Sequence, residues 1–182
     1  IANWDVYDAD GDTIINSHIR WFKFNGSMYE IFTLENNTEV SPSYTLKGDE
    51  WRFRVQVFDG EDWSPWSSDA IQTISNSEPL VENITLSGGI STTDDINLTY
   101  DYYDADNDSD FSSVQWKIVH LGSVNTIAGG ATLSNLEFTA GDLIWVVITP
   151  DDNEDTGSPV DSSTLSGSDV MKFVGDTAPQ IN

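Results

Sequence analysis

Trp4-Asp5-Val6-Tyr7-Asp8-Ala9-Asp10-Gly11-Asp12 returns as Tyr100-Asp101-Tyr102-Tyr103-Asp104-Ala105-Asp106-Asn107-Asp108. The echoes continue in order. Ile19-Arg20-Trp21 matches Val114-Gln115-Trp116, and Gly48-Asp49 matches Gly141-Asp142, each pair standing before a hydrophobic segment. Ser64-Pro65 matches Ser158-Pro159, and Asn76-Ser77-Glu78-Pro79 matches Asp176-Thr177-Ala178-Pro179. The offset drifts only from about 93 to about 100 residues, the signature of a duplicated module. The expected domains are therefore 1–76, a module lacking its first strand, and 77–175, a complete one. Residues 176–182 then form the start of a following module or a tail.

The period inside each module is two. In Trp51-Arg52-Phe53-Arg54-Val55-Gln56-Val57 apolar and polar side chains alternate, as a half-buried strand requires. Segment 143–149 is apolar in both phases, which fits a central strand with one covered face or a contact surface. Segments 28–34, 70–74, 96–103, 114–121 and 170–174 read as further strands, with Gly, Asn, Asp, Ser and Pro clusters between them. No amphipathic stretch of helical length interrupts them. Seven or so short strands per module predict an all-β chain of two tandem two-sheet sandwiches. Trp21, Trp116 and Trp51 fall on inward phases and are expected in the core, whereas Trp145 falls on the outward phase.

Composition narrows the function. The 182 residues carry a formal charge of −24 and no cysteine. Residues 1–76 hold 13 acids against 5 bases, and residues 77–182 hold 18 against 2. Such a surface repels nucleic acid and anionic lipid, so neither is an expected partner. Without cysteine there is no disulfide framework and no thiolate metal site. No apolar run reaches membrane-spanning length, so direct membrane insertion is not expected. Sequons at Asn25, Asn36, Asn83, Asn97 and Asn107 permit glycosylation of a secreted chain. His18 and His120 stand alone, without metal-ligand spacing or a nucleophile motif, and the many aspartates sit in turns. Catalysis has no support, and the chain is read as a non-enzyme.

Two constellations carry possible chemistry. The first is acidic. Asp8, Asp10 and Asp12, and again Asp104, Asp106 and Asp108, place three carboxylates at alternate positions between strands. Calcium takes six to eight oxygens, and such a turn can curl three onto one ion, with Gly11 and Asn107 tolerating the bend. Neither loop has the EF-hand spacing. In a sandwich the second acidic loops, Asp59 and Asp62 in module one and Asp151, Asp152 and Asp155 in module two, lie at the same end. Glu78 at the entry to module two joins them. Ca2+ is the expected cofactor, with all twelve acids as candidate ligands. The second constellation is Trp63-Ser64-Pro65-Trp66-Ser67 with Arg20, Arg52 and Arg54 on outward strand phases. It predicts a ladder in which Trp63 and Trp66 interleave with the arginines.

Segment 51–57, followed by Phe58-Asp59-Gly60-Glu61-Asp62-Trp63-Ser64-Pro65-Trp66-Ser67 and 70–74, resembles strands F and G of a fibronectin type III domain. The Trp-Ser-x-Trp-Ser run is similar to the signature of cytokine-receptor modules of that kind. The Asp-x-Asp-x-Asp loops and Asn/Asp-x-x-Pro junctions resemble the cadherin-like, immunoglobulin-like repeats of large prokaryotic surface proteins. The resemblance implies an extracellular or cell-surface array, in a surface layer, sheath, adhesin or filament, whose partners are neighbouring modules or copies of itself. It also implies that a junction ion stiffens the array. A carbohydrate-binding accessory region of a secreted hydrolase is the alternative, with Trp63, Trp66 and Trp145 as platforms for surface glycans. Ile1 aligns near Asn97, so module one begins inside its second strand. Either the chain is a stretch of a longer array, or the tail of one copy fills the vacant edge of the next.

Overall fold

The structure, a computed structural model, describes residues 1–32, 37–88 and 91–175. It divides into two compact units, 1–76 and 77–182, each built from antiparallel strands.

Unit 2 is a two-sheet sandwich. One sheet runs β5 (Leu80–Gly88), β6 (Ile96–Tyr103), β9 (Thr132–Leu133). The other runs β11 (Val160–Asp161), β10 (Leu143–Thr149), β7 (Ser113–His120), β8 (Ser123–Gly129), with β12 (Lys172–Phe173) also on β10. This is the order of a fibronectin type III-like sandwich, A-B-E facing C′-C-F-G. Alternation supplies the core: Val81, Ile84, Leu86, Ile96 and Leu98 meet Val114, Trp116, Ile118, Ile144, Val146 and Ile148 in one buried cluster. Trp116 is fully buried at 0 % exposure, and its indole N–H donates to the Gly130 carbonyl at 3.1 Å.

Unit 1 carries one sheet among the described residues, in the order β2 (Tyr29–Phe32), β1 (Asn16–Phe24), β3 (Glu50–Phe58), β4 (Ala70–Thr73). Its inner face buries Ile19, Trp21, Trp51 and Val55, covered by Ala2, Trp4 and Val40 from extended segments. The Ala2 amide donates to the Thr38 carbonyl at 2.6 Å, the rung that Leu98 and Ala131 make at 2.7 Å in unit 2.

Several expectations need correction. The described part of segment 28–34 is strand over Tyr29–Phe32; residues 33–36, including Asn36, lie outside the described residues, as does 176–182. Segment 170–174 shrinks to Lys172–Phe173, because the edge strand is split. Between its halves the buried Ser162 hydroxyl accepts from the Val146 amide at 3.1 Å and donates to the Val170 carbonyl at 2.7 Å, replacing backbone rungs. Trp145 is half-buried and its indole nitrogen is fully covered, so the outward phase on β10 is not a free surface.

The repeated Gly-Asp corners lock the start of β3 and β10. Asp49 accepts from the Leu46 amide at 2.8 Å and pairs with Lys23 at 2.6 Å; Asp142 accepts from the Thr139 amide at 2.8 Å and pairs with His120 at 2.7 Å. Burial pushes the Asp142 carboxyl up, but the Thr139 amide and the His120 ring outweigh it and hold the group below the usual aspartate range. A depressed folded value means the stabilisation is whole above the unfolded pKa, about 3.9, and is lost as pH falls through the lower folded value. Asp142→Asn is therefore expected to destabilise unit 2 by about 1–3 kcal/mol at pH 7. The gap between wild type and variant should shrink toward pH 3 in urea melts. An undiminished gap would show that the charge plays no part.

Candidate metal centre

At the end of β6 the chain turns sharply around Asp104. One carboxylate oxygen of Asp104 accepts from the amides of Asp106, at 2.8 Å, and Asp108, at 2.9 Å. Asn107 takes a φ of 63°, the left-handed conformation that Asn tolerates better than most residues. The turn brings the side chains of Asp104, Asp106 and Asp108 together, with one oxygen of each within 4.8 Å of the others. Asp104 is only 7 % exposed, and its second oxygen is buried with no hydrogen-bond partner.

Two further segments reach this end of unit 2. The chain entry is fixed by the Ser77 amide, which donates to Asp106 at 2.8 Å. The loop after β10 is fixed by the Phe111 amide, which donates to the Asp151 carbonyl at 2.8 Å. Within that loop the buried Asp152 accepts from the Glu154 and Asp155 amides at 2.7 and 2.6 Å. Asp151 accepts from the Asn153 amide at 2.8 Å and the Thr156 hydroxyl at 3.2 Å. The Tyr102 hydroxyl shows the electrostatics: burial, then the charges of Asp104, Asp152, Asp110 and Asp108, push it up to about 12. Two carboxylate charges within 4.8 Å of each other repel by about 3 kcal/mol or more at an effective dielectric near 20. A divalent cation would remove that penalty. Glu78 is exposed, and Asp155 keeps an exposed side chain at the rim.

Gly157 seals the entry against the loop. A Cβ there would stand 1.9 Å from the Pro79 carbonyl oxygen and 3.3 Å from the Pro150 side chain. Gly157→Ala should force the segments apart and destabilise unit 2 by about 1–3 kcal/mol or more. An unchanged melting temperature would contradict the close approach.

Unit 1 repeats the turns without the convergence. Asp8 accepts from the Asp10 and Asp12 amides at 2.9 and 3.0 Å, with Gly11 at φ 85° in the place of Asn107. Asp59 accepts from the Glu61 and Asp62 amides, both at 2.8 Å, and these N–H groups hold its carboxyl below the usual range. Asp10, Asp12 and Asp62 are exposed. Among the described residues only Asp104, Asp106 and Asp108 gather their oxygens in one place. The reason is burial: Asp104 follows a strand held between β5 and β9, whereas Asp8 follows an extended segment and is only half-buried.

The tryptophan ladder differs from expectation. Trp63 stacks on His18, with ring centroids 4.2 Å apart, and on Phe58 at 5.1 Å. Trp66 carries Arg20, whose guanidinium lies 4.6 Å from the ring centroid. Arg52 and Arg54 do not interleave with the indoles. Arg52 lies over Tyr29 at 4.1 Å and Phe22 at 4.6 Å, Arg54 lies 5.9 Å from Phe22, and both arginines pair with Asp69. Register explains this, because Arg20 opposes Arg54 and Phe22 opposes Arg52, which sets Phe22 beside both strand β3 arginines. The serines of the motif complete the strand edge. Ser64 and Ser67 accept from the Val57 and Val55 amides through their hydroxyls, at 3.0 and 3.1 Å, and donate their own amides to the same residues' carbonyls.

The remaining sequons are in structured places. Asn25 bonds Glu30 at 2.7 Å beside a tight turn, Asn83 sits in a bulge of β5 at φ 51° and bonds Asp101 at 2.8 Å, and Asn97 accepts from Thr132 at 3.0 Å. Sequence reasoning missed Tyr102 and the Ser77 amide. Ser77 acts through its backbone, which no side-chain pattern reports.

No protein-family model matches the chain, and no curated protein matches it. Among solved structures it is similar to the crystal structure of chicken CNTN1 FN1-FN3 domains, at 12% identity and a TM-score of 0.31. The match covers 80% of this chain and 55% of that one.

Proposed function

We propose that this chain is a non-enzymatic structural or interaction segment of an extracellular or cell-surface protein, built from tandem β-sandwich repeats and stiffened by calcium. One observation carries the reading: the buried, unpartnered oxygen of Asp104 beside the carboxylates of Asp106 and Asp108. A buried charged oxygen with no donor is costly, and a hard cation with oxygen ligands is the group that would relieve it. Asp104, Asp106 and Asp108 would hold the ion, with Asp152 or Asp155 and Glu78 as further oxygen sources. Bound there, it would hold the chain entry to both loops, and that restraint would stiffen an array.

Among the described residues no helix is long and apolar enough to cross a membrane. The glycan-binding alternative has less support. Trp63 stacks on His18 and Phe58 while staying 39 % exposed, Arg20 lies over the Trp66 ring, and Trp145 is half-buried. Thermal melts of chelated protein test the reading, with calcium or magnesium added back and polysaccharide pull-downs alongside. Calcium should raise the melting temperature more than magnesium, and polysaccharide should not retain the chain. A calcium-insensitive melt, or retention on polysaccharide lost in Trp63→Ala, would reverse the choice.

A further inference from the structure

Unit 2 carries an apolar row on the outer side of its larger sheet. Register aligns Val124 of β8 with Val119 of β7, Val119 with Leu143 of β10, and Leu143 with Phe173 of β12. Val119 and Leu143 are half-buried in the middle of the row, whereas Val124 and Phe173 at its ends are 58 % and 69 % exposed. On β7 and β10 these positions share the phase of Lys117 and Trp145, opposite to the core residues Ile118 and Ile144.

The turn beside this row is independently unusual. His120 and Ser123 pair, so Leu121 and Gly122 alone make the turn between β7 and β8, with φ values of 49° and 84°. A turn with two positive φ values favours Asn-Gly or Asp-Gly, and a leucine in the left-handed conformation is strained. The Leu121 side chain gains no burial in return, because it is 94 % exposed. An exposed leucine held in a strained turn, next to an exposed apolar row, marks a contact surface.

We propose that this row and Leu121 form the interface of a two-fold dimer, in which unit 2 of one copy packs on unit 2 of another. Charge selects the occupant. Residues 77–182 hold 18 acids against 2 bases, yet Asp161 is the one acid among the outward positions of the described strands β7, β8, β10, β11 and β12. Copies of a chain with charge −24 repel through most of their surface, whereas here two uncharged rows meet without opposing carboxylates. An acidic partner would find only Lys117 on this face, and that ammonium already donates to Gln115 at 2.9 Å and Thr126 at 3.0 Å. Four strands about 4.8 Å apart make a contact smaller than the standard ~800 Å² per partner, so the dimer is weak, with a Kd of about 0.1 mM.

Sedimentation equilibrium of the full chain in chelator tests this, since no ion can then bridge two acidic turns and the result is independent of the calcium reading. Dimers should appear as the chain approaches about 0.1 mM, and should tighten by about threefold or more from about 0.1 to about 0.5 M NaCl as carboxylate repulsion is screened. Leu121→Asn should weaken association by about tenfold or more while raising the melting temperature of dilute protein by about 2–5 °C. Val124→Asp, which adds a carboxylate to the row, should abolish association. A monomer at about 1 mM in about 0.5 M NaCl, or a dimer that salt does not tighten, overturns the proposal. So does undiminished association of either variant, or a lowered melting temperature for Leu121→Asn.

Discussion

Trp116→Ala is expected to remove about 3–5 kcal/mol from unit 2, enough to leave much of the population unfolded if the unit has ordinary marginal stability. The side chain is 0 % exposed between the two sheets, and its indole N–H donates to Gly130. Truncation therefore opens a cavity and removes the indole hydrogen bond to Gly130 at once. Urea melts followed by circular dichroism would read the loss. A shift no larger than that of the half-buried Trp66→Ala, about 1 kcal/mol, would mean that the sandwich does not depend on this residue.

The second large effect is a reversal of sign at Asp104. In chelator, Asp104→Asn keeps the side-chain oxygen that accepts the Asp106 and Asp108 amides. It also deletes a buried charge that faces two other carboxylates and whose second oxygen has no hydrogen-bond partner. The variant should then be as stable as wild type or more so. In calcium the order should invert. For a site with a dissociation constant near 0.1 mM, about 10 mM calcium stabilises the native state by about 2.7 kcal/mol, and the variant forgoes this. Melts of both proteins with and without calcium would show the crossing. Parallel curves in both conditions would assign Asp104 a role in the turn alone.

Much of this was legible before any coordinates, for identifiable reasons. The duplicated Asp-x-Asp-x-Asp turns and Gly-Asp corners mark the same backbone event twice, and each is closed by a local bond from an aspartate to an amide two to four residues on or three back. Local bonds are what a sequence window can show. Strand phase likewise placed Trp21, Trp51 and Trp116 inside. What failed depends on neighbours distant in sequence. Phase put Arg52 and Arg54 on the outer face but could not say that Phe22, and not an indole, would lie beside them, since cross-strand register decides that. Nor could it show that Asp69 would pair with both arginines. The Asp8 and Asp104 turns read alike. Only the tertiary setting buries one carboxylate and leaves the other half-buried.

The most direct test of the account is isothermal calorimetry of calcium into the chelated full chain, with Asp104→Asn beside it. The account predicts a saturable site with a dissociation constant of about 0.1–1 mM, the range of extracellular modules, that is lost in the variant. No binding heat up to several times that concentration, about 5 mM, or the same heat from Asp104→Asn, would contradict it.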